Sequence, residues 1–154
     1  MTKMIIYDFT KHSNYSRRDV IKIVTGKDEQ PYGKWVSGYN REGDNLFVFM
    51  NIGIPGRTGH DYKNTYDRET EEVSWCGKSK THSNQPVIKQ IINGDLSLYV
   101  FARWERHVVD FEYLGIGKVI SFEDDVPVAD RDANDSFCIE FKLTCKESGT
   151  NAWR

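Results

Sequence analysis

Residues Leu46-Phe47-Val48-Phe49-Met50 form an unbroken apolar run. A strand with one wet face alternates apolar and polar residues. This one does not, so it reads as a central strand buried on both faces. The rest of the chain must therefore supply a covering layer on each side of a sheet. Further strand signals are Lys34 to Tyr39 with aromatics at both ends, the brief Val73 to Cys76, and the long Leu96 to Trp104. Phe111 to Leu114 and Lys118 to Phe122 flank Gly115-Ile116-Gly117, which reads as a bulge or bend at a sheet corner. Phe137 to Cys145 alternates, with Phe137, Ile139, Phe141 and Leu143 on one face and Cys138, Glu140, Lys142 and Thr144 on the other.

Two helices interrupt the strands. Ser16 is a good N-cap with Asp19 three residues on, Val20, Ile21, Ile23 and Val24 supply an apolar face, and Gly26 ends the helix. Pro86 opens a second short helix through Val87, Ile88, Ile91 and Ile92 to Asn93-Gly94. The expected class is α+β: a curved, mostly antiparallel sheet or partly closed barrel with two short helices. At 154 residues the chain is one domain, expected over 1–146, with 147–154 a C-terminal tail or linker.

Aromatic residues make up 13%, which excludes intrinsic disorder for the bulk of the chain. No apolar run approaches the length of a membrane span and the N-terminus lacks a signal-peptide core, so a cytoplasmic protein with no membrane partner is expected. Cys76, Cys138 and Cys145 are odd in number and form no CxxC pair, which points to reduced thiols rather than disulfides or a zinc site. His12, His60, His82 and His107 are too dispersed for a metal, and no cofactor is expected.

The formal charge of −2 conceals a segregation. Val119 to Glu147 carries three basic and eight acidic residues, with Glu123-Asp124-Asp125, Asp130, Asp132 and Asp135 reading as a solvated acidic loop. Trp75 to Arg106 carries five basic residues against two acidic. Within that stretch, Ser74 to Gln85 follows an aromatic with two lysines and a series of small hydroxyl and amide side chains, the groups that meet phosphates and base edges. Gly53 to His60 is glycine-rich but lacks the Gly-Lys-Ser/Thr ending of a P-loop, so a turn or a backbone-touching loop is the reading. Glu140-Phe141-Lys142 matches half of a metal-dependent nuclease site.

Taken together, Asn14 to Val20, Trp35 to Tyr39, Leu46 to Gly53, Pro55 to Tyr62, Val73 to Lys78, Tyr99 to Trp104 and Phe111 to Gly115 resemble the modified-DNA-reading modules of modification-dependent, type IV-like restriction endonucleases, which accompany HNH nuclease or helicase domains. The resemblance covers roughly residues 14 to 124 and implies an SRA-like or PUA-like fold. It further implies recognition of 5-methylcytosine or 5-hydroxymethylcytosine in double-stranded DNA, with the base flipped into an aromatic-lined pocket. Within the shared blocks, Trp35, Tyr39, Trp75 and Trp104 are the candidate stackers. Arg57, His60, Lys78, Lys80 and Arg103 are candidate phosphate contacts, and Thr81, His82 and Asn84 are candidates for base edges. Such a chain would not itself be an enzyme, and cleavage would belong to a separate nuclease domain of a full-length protein. Two alternatives stand beside this reading: a small metal-dependent nuclease using Glu140 and Lys142, and an RNA- or protein-binding PUA-like module.

Overall fold

A computed structural model of the chain describes residues 7–36, 38–53, 63–78, 80–105, 107–129 and 135–146. The eight strands and two helices are, in order, β1 (Asn14–Ser16), α1 (Arg17–Thr25), β2 (Tyr39–Glu42), β3 (Asn45–Asn51), β4 (Thr65–Asp67), β5 (Glu72–Cys76), α2 (Pro86–Ile92), β6 (Ser97–Arg103), β7 (Asp110–Ala129) and β8 (Asp135–Thr144). The strands make one sheet in the order β2-β3-β6-β7-β8-β5-β4, with β1 added against the start of β7. Among the described residues only β3 and β6 run parallel, joined by the crossover that contains β4, β5 and α2. The α+β class, the mostly antiparallel sheet and the two short helices are those expected.

Both faces of β3 are covered, as its apolar run requires. Leu46, Val48 and Met50 join Trp75, Phe141, Leu143 and the α2 residues Ile88 and Ile91 in the inner core. Phe47 and Phe49 face the opposite layer, where α1 contributes Val20 and Ile21 and the chain before β1 contributes Phe9. Phe47 stacks on Tyr99 and Phe49 on Phe101, with ring centres 5.0 and 5.1 Å apart, so parallel-strand register becomes aromatic contact. Local chemistry sets α1: the Ser16 hydroxyl accepts from the Asp19 N–H, the Asp19 carboxylate accepts from the Ser16 N–H, and Gly26 closes the helix.

The structure joins what the sequence reading kept apart. Phe111–Leu114 and Lys118–Phe122 belong to one 20-residue strand, β7, whose first half pairs with β6 and whose second half pairs with β8. Gly115 makes this possible. It has φ +119°, sits opposite the register shift at Val100/Phe101, and a Cβ there would stand 3.2 Å from the Cys145 carbonyl oxygen. The segment Glu123-Asp124-Asp125, expected as a solvated loop, is instead part of β7, paired with β8 around a bulge. The segment Lys34 to Tyr39, expected as a strand, is a 3-10 turn over Gly33–Val36 followed by the start of β2. On β8, Phe137 is exposed and Cys138 buried, so the predicted alternation holds only from Ile139 onward.

The sheet's two ends curl toward each other. Tyr39 of β2 packs edge-on against Trp75 of β5, at 5.7 Å. From the turn after β4, Arg68 reaches the middle of the sheet and makes two 2.9 Å hydrogen bonds to Glu112 of β7. Those two bonds hold the Glu112 carboxyl below its ordinary value of 4.5; partial burial opposes them and His12 assists.

Two outcomes follow. Gly115→Ala places a side chain at a backbone angle it rarely adopts and against a carbonyl, and should lower stability by ~1–3 kcal/mol in urea unfolding. Because Glu112 is depressed in the folded state, its contribution is complete above its unfolded value and is lost as pH falls through the folded one. Acid unfolding curves of wild type and Glu112→Gln should therefore converge below pH 4.5 and separate above it, with wild type the more stable.

Candidate nucleic-acid interface

Four strand termini meet where the sheet's ends approach. The C-terminal ends of β3 and β6 lie side by side, with Asn51 opposite Arg103. Asn64, just before β4, ties them to β5: its Nδ2 donates to the Asn51 carbonyl (3.0 Å) and its Oδ1 accepts from the Cys76 N–H (2.9 Å). The Asn64 side chain is buried and both of its polar groups are used, so it works as a two-way bolt between strands that do not pair. Arg103 extends the line, donating from Nε to Asn51 Oδ1 at 2.7 Å.

An aromatic stack stands beside this bolt. Trp75 lies on Phe141 at 5.2 Å and takes the edge of Tyr39 on its other side. The Lys78 ammonium sits 4.5 Å from the centre of the Tyr39 ring. Burial pushes the Lys78 ammonium below its ordinary range and raises the Tyr39 hydroxyl above its own. Lys78 is nevertheless exposed as a residue, and so presents a partly desolvated cation on an aromatic platform at the rim.

Hydrogen bonds to β8 set the shape of the segment after β5. The Gly77 N–H donates to the Ile139 carbonyl and the Lys80 N–H to the Phe137 carbonyl. Thr81 is 6% exposed; its hydroxyl donates to the Lys78 carbonyl at 2.6 Å and accepts from the Ile139 N–H at 3.2 Å, so this candidate for base contact is engaged in holding its own loop. Gly77 is required there, because a Cβ would come 2.7 Å from the Thr81 hydroxyl. Ser83 donates from N–H and hydroxyl to Asp124 (2.9 and 2.5 Å), and His82 Nε2 stands 3.6 Å from the same carboxylate. Partial burial would raise Asp124, but the two Ser83 bonds and His82 outweigh it and hold the carboxyl below its usual range. Serine and histidine both bind the aspartate, and the serine hydroxyl is spent on it, so this is an anchor and not a nucleophilic triad. Asn84 is exposed and donates its N–H to His82 Nδ1.

Of the sequence candidates, the structure brings together Tyr39, Trp75, Lys78 and Thr81, with Lys80, His82 and Asn84 on the same loop and Arg103 linked through Asn51 and Asn64. Trp35 lies apart, 6% exposed in the opposite layer and packed on Phe47. Trp104 is 38% exposed and takes the Arg68 guanidinium at 5.1 Å. Arg57 and His60 lie outside the described residues, in the 54–62 stretch between Asn51 and Asn64. Glu140 faces Cys76 and Glu123 across its neighbouring strands, and among the described residues no three His, Cys, Asp or Glu side chains form a metal-holding group. All three cysteines are buried and free, and burial lifts the Cys145 thiol to about 12.

Sequence reasoning missed Asn51 and Asn64, which carry no motif, and Arg17, whose guanidinium packs over Phe49 and Phe111 at 4.5 and 5.1 Å, and it read Asp124 only as part of an acidic loop. Asp124→Asn should weaken the loop's anchor without touching the core. Hydrogen exchange at the Ser83 amide should then quicken about tenfold while amides of β3 and β6 keep their protection.

No curated protein sequence matches the chain. Solved structures do share its fold. The MspJI restriction endonuclease in complex with a 27-mer oligonucleotide superposes with a TM-score of 0.50 at 11% identity, covering 75% of this chain and 33% of that one. KRYPTONITE in complex with mCHH DNA, an H3(1-15) peptide and SAH gives 0.59 at 11% identity, covering 95% and 34%. Arabidopsis thaliana SUVH6 in complex with SAM gives 0.53 at 11% identity, covering 94% and 28%. The chain thus spans about a third of the length of each of these proteins, and the SRA-like fold expected from the sequence is the one they share with it. A family profile described as a domain of unknown function (DUF3427) matches residues 9–148, and the chain belongs to that family.

Proposed function

We propose that this chain is a DNA-binding specificity module that recognises modified cytosine in double-stranded DNA for a modification-dependent restriction system. The observation that carries this reading is the rim of the closing sheet. There a cation on an aromatic platform (Lys78 on Tyr39, backed by Trp75) and Arg103 are held at converging strand ends by Asn64. The fold supports it: KRYPTONITE shares that fold in complexes with mCHH and with mCHG DNA. Lysine and arginine would fix the phosphate backbone, and a base taken from the stack would meet aromatic surface at the mouth. Unstacking costs a few kcal/mol, which stacking worth ~1–3 kcal/mol per base and pocket hydrogen bonds offset.

Charge placement agrees with this reading. Glu123, Asp124 and Asp125 lie on the second half of β7, where Asp124 is bound by Ser83 and His82, and the cations at the rim are Lys78 and Arg103. In this proposal the chain binds without cutting, a nuclease in a longer protein does the cleavage, and 5-methylcytosine and 5-hydroxymethylcytosine are the modifications to test first. The placement proposed is cytoplasmic; among the described residues no helix is long and apolar enough to cross a membrane.

A panel of matched duplexes carrying cytosine, 5-methylcytosine, 5-hydroxymethylcytosine or phosphorothioate, titrated at ~150 mM salt, decides the matter. Tighter binding to one cytosine modification is expected; equal affinity across the panel, or tighter binding to RNA, contradicts the reading. Tyr39→Ala should cost ~1–3 kcal/mol of affinity, mainly on the modified duplex. Lys78→Gln should weaken all duplexes alike and lower the salt slope by about one.

A further inference from the structure

Past its bend, β7 leaves one edge open. β6 takes one edge of this strand and β8 the other. Pairing with β6 ends at Gly117, whereas pairing with β8 continues from Lys118 to Ala129. From Lys118 onward, therefore, the edge that β6 held earlier has no partner strand among the described residues. Alternate residues of an antiparallel strand send their N–H and C=O groups outward, so this edge offers donors and acceptors in a row. The strands that end the sheet, β2 and β4, are only four and three residues long.

The side chains along this edge are exposed as well. Residues 120–123 are four exposed positions in succession, where a strand with one covered face would alternate. Two of them are large and apolar, Ile120 at 52% and Phe122 at 43%. The surface beside them is acidic. Glu123 stands opposite Glu140 across the β7–β8 pair, a placement of like charges that costs stability. Asp125 follows at φ +61°, where the strand bulges, so the usable edge covers residues 118–124. Asp124 is taken by Ser83 and His82, but among the described residues neither Glu123 nor Asp125 has a basic partner.

Charge decides what completes such an edge. A nucleic-acid backbone is repelled by the carboxylates. A second copy pairing edge to edge would bring the same carboxylates to the same place. An extended peptide with basic side chains gains on every count. Its main chain pairs with the edge, its cations meet Glu123 and Asp125, and an apolar side chain between them covers Phe122. We infer that the edge of β7 at residues 118–124 is a docking site for an extended, basic segment of a partner protein, which adds to the sheet as a further strand. The bulge and the carboxylates that keep two such edges apart also select this partner. The inference goes beyond the DNA-reading proposal and uses none of the rim residues.

The test titrates the full chain with synthetic peptides of roughly six residues, the length of an ordinary strand. One alternates lysine with valine, one alternates glutamate with valine, and one is the lysine peptide N-methylated at alternate amides. The lysine peptide should bind with a Kd below about 1 mM and slow amide hydrogen exchange within residues 118–124. N-methylation should weaken it about tenfold or more, because the main-chain bonds are lost. Phe122→Ser should weaken it about tenfold with an unchanged thermal midpoint. Glu123→Lys/Asp125→Asn should reverse the preference and bind the glutamate peptide more tightly. Binding of the N-methylated peptide as tightly as its parent, or protection that appears elsewhere in the fold, overturns the docking edge. Equal binding of the lysine and glutamate peptides by wild type, or no binding up to about 1 mM, overturns it too. Concentration-dependent protection of the same amides in the peptide-free protein assigns the edge to a second copy, which also overturns the proposal. All of these outcomes leave the DNA-reading proposal standing, since no peptide enters its test.

Discussion

One strand, β7, belongs to both halves of the sheet, and the rest of the fold hangs from the bend that lets it do so. At Gly115 the backbone takes an angle that a side chain rarely permits and passes close to the Cys145 carbonyl. Before the bend β7 pairs with β6, and after it with β8. The curl brings β2 toward β5 and lets Arg68 reach Glu112 from the other end. Without it, the termini of β3, β5 and β6 would lie on a flat sheet with no common mouth.

The mouth owes its chemistry to strands that meet without pairing. Unpaired strand ends leave N–H and C=O groups that need partners, and Asn64 supplies one of each in a buried position. The same crowding sets a lysine on an aromatic ring and shifts its proton affinity downward. Charge is sorted along β7 itself: Glu112 is paired near its start, and Asp124, beyond the bend, anchors the loop that follows β5. Both halves of β7 thus carry carboxylates spent on partners, Glu112 on Arg68 and Asp124 on Ser83, while the rim's cations, Lys78 and Arg103, come from the ends of β5 and β6.

Signals confined to neighbouring residues were legible in the sequence. The Ser16–Asp19 capping box and Gly26 delimit α1, and the apolar run of β3 announces a strand covered on both sides, because each depends on a few consecutive side chains. The 3-10 turn at Gly33–Val36 was misread because Trp35 and Tyr39 look like strand aromatics, while their rings face opposite layers. Glu123 and Asp124 read as loop by composition, yet the partner strand β8 and Ser83 hold them in β7. Of the proposed site, Lys78 and Tyr39 were visible as residue types. Asn64 and Asn51 were not, since a buried asparagine that bridges strands has no local signature. Thr81 was a candidate for base edges, but the fold uses its hydroxyl to hold the loop.

The central claim is that DNA carrying a modified base is read at this rim. Backbone amide shifts recorded with a modified duplex and with its unmodified counterpart test it directly. The two spectra should differ most at Tyr39, Asn64, Cys76, Lys78 and Arg103, with the β7–β8 hairpin around Phe137 unmoved. Differences centred on that hairpin, or identical spectra with both duplexes, would contradict it.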